Sequence, residues 1–153
     1  MSKPTKNMQA RQTINIFFLL CFLFSLFAQA QDTINITDNA GLKQGRWVIF
    51  GKSKPNTCYK ADQKVEEGYY YDNKKGGTWY QYFCNEKIRA IIEFKNGKPN
   101  GNCKTFHENG TINEVGTFVL NKWVGEYTLH YQNGKPQQVF TFNEQGKRDG
   151  LQK

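Results

Sequence analysis

The sequence predicts an all-β fold: a meander of stacked antiparallel β-hairpin repeats of about 24 residues, forming a single-sheet solenoid. Three observations carry this. Gly77, Gly101 and Gly125 open the segments GTWYQYF, GNCKTFH and GEYTLHY at a constant spacing. Phe94, Phe118 and Phe142 keep the same spacing, as do Ile91, Val115 and Val139. Asn109-Gly110 returns as Asn133-Gly134, and Gly68 leads Gly116 by two periods. Self-similarity at a fixed period marks a repeat architecture, in which each unit buries its apolar side only by stacking on the next.

Residues 1–30 stand apart from the repeats. Lys3, Lys6 and Arg11 form a basic start, Ile14 to Phe27 is an apolar run, and Ala28-Gln29-Ala30 supplies small residues in an A-x-A arrangement. This is the layout of a secretory signal peptide cleaved after Ala30. The apolar run is shorter than the roughly 20 residues a spanning helix needs, which disfavours the alternative of an uncleaved anchor. Leu19 and Leu20 precede Cys21 where a lipidation site asks for small residues. The expected location is therefore outside the cytoplasm: periplasmic, outer-surface or secreted.

Cleavage leaves residues 31–153, enough for one small domain, and the loss of Lys3, Lys6 and Arg11 lowers the formal charge from +8 to +5. The remaining excess is spread as single lysines beside turn glycines. A nucleic-acid site would need basic residues clustered on one face, so nucleic acid is not an expected partner.

The lead-in, residues 31–40, is polar and short of anchors. The repeats are expected over residues 41–153. Gly45 starts the first unit, and Trp47, two positions on, matches Trp79, Cys103 and Tyr127 in later units. The gap from Gly45 to Gly77 exceeds the later spacing, so this unit holds extra residues, accommodated in a longer loop over 51–64. Insertions in repeats map to one end of the array, often the binding face.

Each unit is rich in Trp, Tyr, Phe, Ile, Val and Thr between Asn, Gly, Lys and Pro, which reads as strand, turn, strand, join. Asn109-Gly110 and Asn133-Gly134 predict two-residue type I′ hairpin turns. Asn96-Gly97 and Asn100-Gly101 punctuate joins. The aligned Asn85-Glu86 lacks the glycine, and a looser turn is expected there. Trp47, Trp79, Cys103 and Tyr127 should form ladders on one sheet face with Phe94, Phe118 and Phe142. Strict alternation puts Ile91, Val115 and Val139 on the other face, unless a bulge intervenes. A partial unit restarts near Gly150 and suits a polar cap.

Export also frames the cysteines, because Cys58, Cys84 and Cys103 are an odd number in an oxidising compartment. Cys103 occupies the position of Trp79 and Tyr127 and reads as a buried small hydrophobe. Cys58 and Cys84 fall in loop-like stretches and are the candidate disulfide pair, subject to geometry.

The unit NGKPNGNCKTFHENGTINEVGTF resembles the MORN-repeat-variant family of bacterial proteins, over about residues 41–153. The resemblance implies a meander of β-hairpins. Members of that family are often labelled as antitoxin components of toxin–antitoxin systems, and MORN repeats elsewhere are similar in serving as scaffolds, partner-binding surfaces or lipid-contacting modules.

No catalytic constellation emerges. His107 and His130 occupy aromatic slots of neighbouring units and alternation aims them at opposite faces, so both read as structural. Glu66, Glu67 and Glu93 lack a partner for general acid–base work, and there is no phosphate loop, G-x-S-x-G or H-E-x-x-H. The expectation is no enzyme, no cofactor and no metal.

Aromatic residues make up 15% of the chain, more than one apolar layer of so thin a fold needs. Tyr69, Tyr70, Tyr71 and Trp123 near the joins, with Lys74 and Lys75, are the candidate binding surface; the competing reading is that the rings cover the second face. The expected function is an exported, non-catalytic module binding another protein of the cell envelope. The alternatives are an envelope module contacting anionic lipid or glycan through turn lysines Lys74, Lys75, Lys98, Lys122 and Lys135, or an antitoxin-like neutraliser of a co-exported toxin.

Overall fold

The computed structural model describes residues 33–150. The signal peptide expected over residues 1–30 and the end of the chain after Gly150 lie outside the described residues. The described chain is all-β: ten strands form one antiparallel sheet in strict sequence order. They are β1 (Ile36–Thr37), β2 (Lys43–Phe50), β3 (Lys64–Tyr71), β4 (Lys74–Tyr82), β5 (Ile88–Lys95), β6 (Lys98–Phe106), β7 (Ile112–Val119), β8 (Lys122–His130), β9 (Pro136–Phe142) and β10 (Arg148–Asp149). A lone hairpin is marginal in water, and here every long strand is paired on at least one side by the next.

The meander has two ends. The loop over 51–63 and the turns over 83–87, 107–111 and 131–135 close the units at one end; the joins at 72–73, 96–97 and 120–121 lie at the other. The turn chemistry differs from the expectation. Gly110 and Gly134 have left-handed φ of 94° and 81°, but Asn109 and Asn133 do not, so neither pair forms a type I′ turn. His107 N donates to Thr111 O (2.9 Å) and Gly110 N to His107 O (2.8 Å), closing a three-residue loop with one left-handed position. Asn109 Oδ1 accepts from Thr111 N, and Asn133 Oδ1 from Lys135 N, so each asparagine works through its side chain instead of its backbone.

The type I′ turns sit at the joins, where both central residues are left-handed: Asp72-Asn73, Asn96-Gly97 and Leu120-Asn121. Nor is the turn at Asn85-Glu86 looser. Phe83 N donates to Lys87 O (2.8 Å) and Glu86 N to Phe83 O (3.0 Å), with Glu86 holding the left-handed position at φ 66°.

The repeat glycines have a backbone reason. The register shifts between Glu67 and Tyr69, between Ile92 and Phe94, and between Val115 and Thr117. At each shift the facing strand carries extra residues, among them Gly77, Gly101 or Gly125, with φ of 65°, 120° and 74°. A left-handed residue at a bulge costs glycine nothing and an L side chain about 1 kcal/mol or more.

These registers fix two faces. On the ring face, Trp47 lies opposite Gly68, Trp79 opposite Ile92, Ile92 opposite Cys103, Cys103 opposite Gly116, and Tyr127 opposite Phe140. Gly68 and Gly116 leave room for the neighbouring large rings, and Trp79 is completely buried. Tyr70 bridges Trp47 and Trp79 edge-on at 5.6 and 5.0 Å between ring centroids, while Trp123 stacks on Phe118 at 3.8 Å. Cations close this face: Lys43 Nζ is 4.6 Å from the Trp47 ring, Lys75 Nζ 3.9 Å from Trp79, and the Arg148 guanidinium 3.8 Å from Phe140. Ile91 and Val115 stand on the opposite face, paired with Tyr80 and Lys104, and with Lys104 and Thr128. No bulge interrupts β5 between Ile91 and Phe94 in its pairing with β4, so both faces carry apolar residues.

Side chains also stitch the unit turns together. The Tyr59 hydroxyl donates to Tyr82 O (2.6 Å) and Gln63 Nε2 to Cys84 O (3.1 Å). Two units on, His107 Nε2 donates to His130 O (2.9 Å) and Asn109 Nδ2 to Gln132 O (2.9 Å). A carbonyl only accepts, so Nε2 of His107 carries the proton.

Candidate functional site

The face opposite the rings, here the groove face, is built from residues that period-2 alternation turns away from Trp79. Arg46 lies opposite Tyr69, Glu67 opposite Val48 and Tyr80, and Tyr82 opposite Ile88. Arg46, Glu67, Tyr69, Thr78, Tyr80, Tyr82 and Ile88 line a shallow groove of about 310 Å³, with Val48 buried beside it. Its floor is a hydrogen-bonded hub. Glu67 accepts from Arg46 Nη2 at 3.1 Å, from Lys64 Nζ at 3.0 and 3.1 Å, and from the Tyr82 hydroxyl at 2.5 Å.

The electrostatics follow from that crowding. Burial pushes the Glu67 carboxyl up, but donors from Tyr82, Lys64 and Arg46 and the Lys64 charge outweigh it, leaving Glu67 below the usual carboxylate range. Burial and the bond to Glu67 push the Tyr82 phenol well above its ordinary value. Above this polar floor stand two exposed rings on adjacent strands, Tyr69 at 47% and Tyr80 at 37% exposure.

A second shallow groove of about 440 Å³ runs along the same face over β5–β8, lined by Ile91, Glu93, Asn102, Lys104, Val115, Thr117 and Glu126 among others. It holds more volume but presents no aromatic ring, so it offers less contact area per ordered side chain.

The six residues of the expected binding surface do not share one face. Tyr69, Tyr71 and Lys74 lie on the groove face, with Tyr71 60% exposed. Tyr70 lies on the ring face between two tryptophans, Trp123 is stacked on Phe118 and meets Tyr127 edge-on, and Lys75 is spent on Trp79 and on an ion pair with Glu66 at 2.7 Å. The physical reason is alternation: consecutive residues of a strand cannot face the same way. Arg46, Tyr80, Tyr82 and Ile88 do not stand out in the sequence, and Glu67 reads there only as a carboxylate without a partner, whereas Arg46, Lys64 and Tyr82 all donate to it. The signal was present, since Glu67 and Tyr69 share a face by spacing alone, but their β2 and β4 partners need the register.

Cys58 and Cys84 are joined as a disulfide, Cα to Cα 5.8 Å, which fastens the 51–63 loop to the next unit's turn. Cys103 is buried and unpaired, and burial with the nearby Glu114 charge pushes its thiol up to about 11. Among the described residues no group of three acidic, histidine or cysteine side chains could hold a metal ion. No family model matches the chain. No curated protein matches it either.

Proposed function

We propose that this chain is an exported, non-catalytic binding module of the MORN-like kind, acting in the cell envelope and gripping a partner protein through the groove face around Tyr69 and Tyr80. The observation that carries this reading is the pair of exposed rings over a hydrogen-bonded Glu67 hub. Tyrosine supplies large contact area with few torsions to freeze, and a polar floor gives orientation. The ring face is a poorer candidate because Lys43, Lys75 and Arg148 already cap its rings. A non-catalytic role fits the groove chemistry: Glu67 is held ionised by its three donors and Tyr82 is held protonated, so neither is poised to exchange a proton near neutral pH.

The test is site-specific photo-crosslinking in the organism's own cells, with the crosslinking residue at Tyr80 or at Tyr131, which is exposed at the far end of the sheet. A discrete adduct from position 80 alone, lost when Tyr69 is replaced by Ala, is the expected result. Equal adducts from both positions, or none, would remove the reading.

A further inference from the structure

The structure draws a line of lysines that the tyrosine groove does not use. Lys74, Lys98 and Lys122 each follow a join turn directly, and Lys95 precedes one. Lys147 closes the last turn, accepting at its carbonyl from Asn143 N at 2.9 Å. All five are exposed, and among the described residues none enters an ion pair. Two lysines expected from the sequence to act with them do not: Lys75 is committed to Glu66 on the ring face, and Lys135 lies at the opposite end of the sheet.

The five form the outermost row of the join end. Tyr71 faces Lys74, Lys95 faces Lys98, and Val119 faces Lys122. With strands about 4.8 Å apart, lysines on alternate strands are roughly 10 Å apart and the row runs about 25–30 Å. Lys95 and Lys98 are a direct cross-strand pair of like charge, an arrangement that destabilises a sheet. Such a local conflict marks a place where the chain serves something other than its own folding.

We propose that this lysine rim binds an extended acidic polysaccharide, laid across the strands at the join end. A chain fits better than a charged plane. The next row inward on the same face carries Glu93 and Asp149, opposite Thr78 and Thr141, and these carboxylates would repel a sheet of anionic headgroups pressed against the face. A polymer following the rim avoids them and meets a cation at about the repeat of a disaccharide. The Tyr71 ring lies against Gly76 with its other side exposed, which suits stacking on a sugar ring. This binding is independent of the groove around Tyr80.

The test is affinity electrophoresis of the full chain through gels containing polygalacturonate, with dextran as the neutral polymer. Vesicles of phosphatidylglycerol and single-stranded DNA provide the competing arms. Retardation by polygalacturonate but not dextran, weakening with salt, is expected. Replacing Lys74, Lys98 and Lys122 together by Glu should weaken binding by roughly a hundredfold or more, whereas Lys135→Glu should leave it unchanged. The same three lysines replaced by Ser, with an unchanged melting temperature, guard against misfolding and should weaken binding in the same direction. No retardation at low salt, retardation indifferent to both triple variants, or tighter binding to vesicles or DNA than to polygalacturonate would each overturn the proposal.

Discussion

The indole of Trp79 fills the space in which Gly68 would otherwise carry a β-carbon. A Cβ at Gly68 would collide with three atoms of the ring, and Trp79 has no exposed surface at all. The glycine on β3 is therefore the socket for the largest core residue on β4. The same device returns two units on, where a Cβ at Gly116 would meet Trp123 at 2.9 Å and Tyr127 at 3.2 Å.

Gly68→Ala should accordingly destabilise the fold by about 2–3 kcal/mol, because overpacking a filled site outweighs the few tenths gained from a stiffer unfolded chain. In a Trp79→Ala background the socket is empty, and the same substitution should cost almost nothing. Urea unfolding of the two singles and the double measures the coupling. Additive effects would show that the two residues do not share the space.

The disulfide closes a stretch with a sequence separation of 26 and ties the longest loop to the turn of the next unit. Cys58→Ser with Cys84→Ser should lower stability by about 3 kcal/mol through the entropy restored to the unfolded chain. Tyr59 and Gln63 still bond to Tyr82 O and Cys84 O in that variant, so the loop should loosen without detaching. Limited proteolysis within 52–57 should be faster while the repeats stay protected. Unchanged denaturation would remove the disulfide as a stabilising element.

Two carboxylate–phenol pairs set the pH range. The folded state lowers the Glu67 pKa, so its contribution is complete above about pH 5 and is lost as pH falls through the depressed value. Burial first, then bonds to Glu67 and Glu114, raise Tyr82 and Tyr127. Their contribution is complete below about pH 10 and is lost as pH rises through the raised folded values. Alkaline titration followed by phenolate absorbance should find these two the last of the eight tyrosines to ionise. Tyr82→Phe and Tyr127→Phe should each delete a late step, and Glu67→Gln should flatten the acid limb of the stability profile. A single early step for every tyrosine would contradict the pairing.

The repeat period made the sheet legible before any coordinates, because Gly77, Gly101 and Gly125 mark a backbone need that recurs with each bulge. Counting by two set Ile91 against Phe94 but left a bulge open as the alternative, and the unbroken register of β5 on β4 decides it. The candidate site was less legible. Three consecutive tyrosines looked like one surface, yet alternation sends Tyr70 to the ring face and leaves Tyr69 with Tyr80, a neighbour that only cross-strand register supplies. The fate of Lys75 was equally hidden, since its ion pair with Glu66 joins residues on different strands. Turn type misled for a related reason: an Asn-Gly pair reports a left-handed glycine, but the length of the loop decides whether asparagine joins it.

Glu86 tests that last point directly. It occupies the left-handed position that Gly110 and Gly134 hold in the following units, at φ 66° against 94° and 81°. Its turn keeps both backbone hydrogen bonds, so the strain is borne by the residue and not relieved by a different loop. Glu86→Gly should therefore stabilise the chain by about 1 kcal/mol, and Gly110→Glu should destabilise it by a similar amount. The side chain itself offers little to lose, only a 3.4 Å solvent-exposed contact from Gln63 Nε2. Thermal unfolding of the two variants settles the sign. A less stable Glu86→Gly would mean that the Gln63 contact outweighs the backbone strain and that this turn holds its glutamate for the bond across to the 51–63 loop.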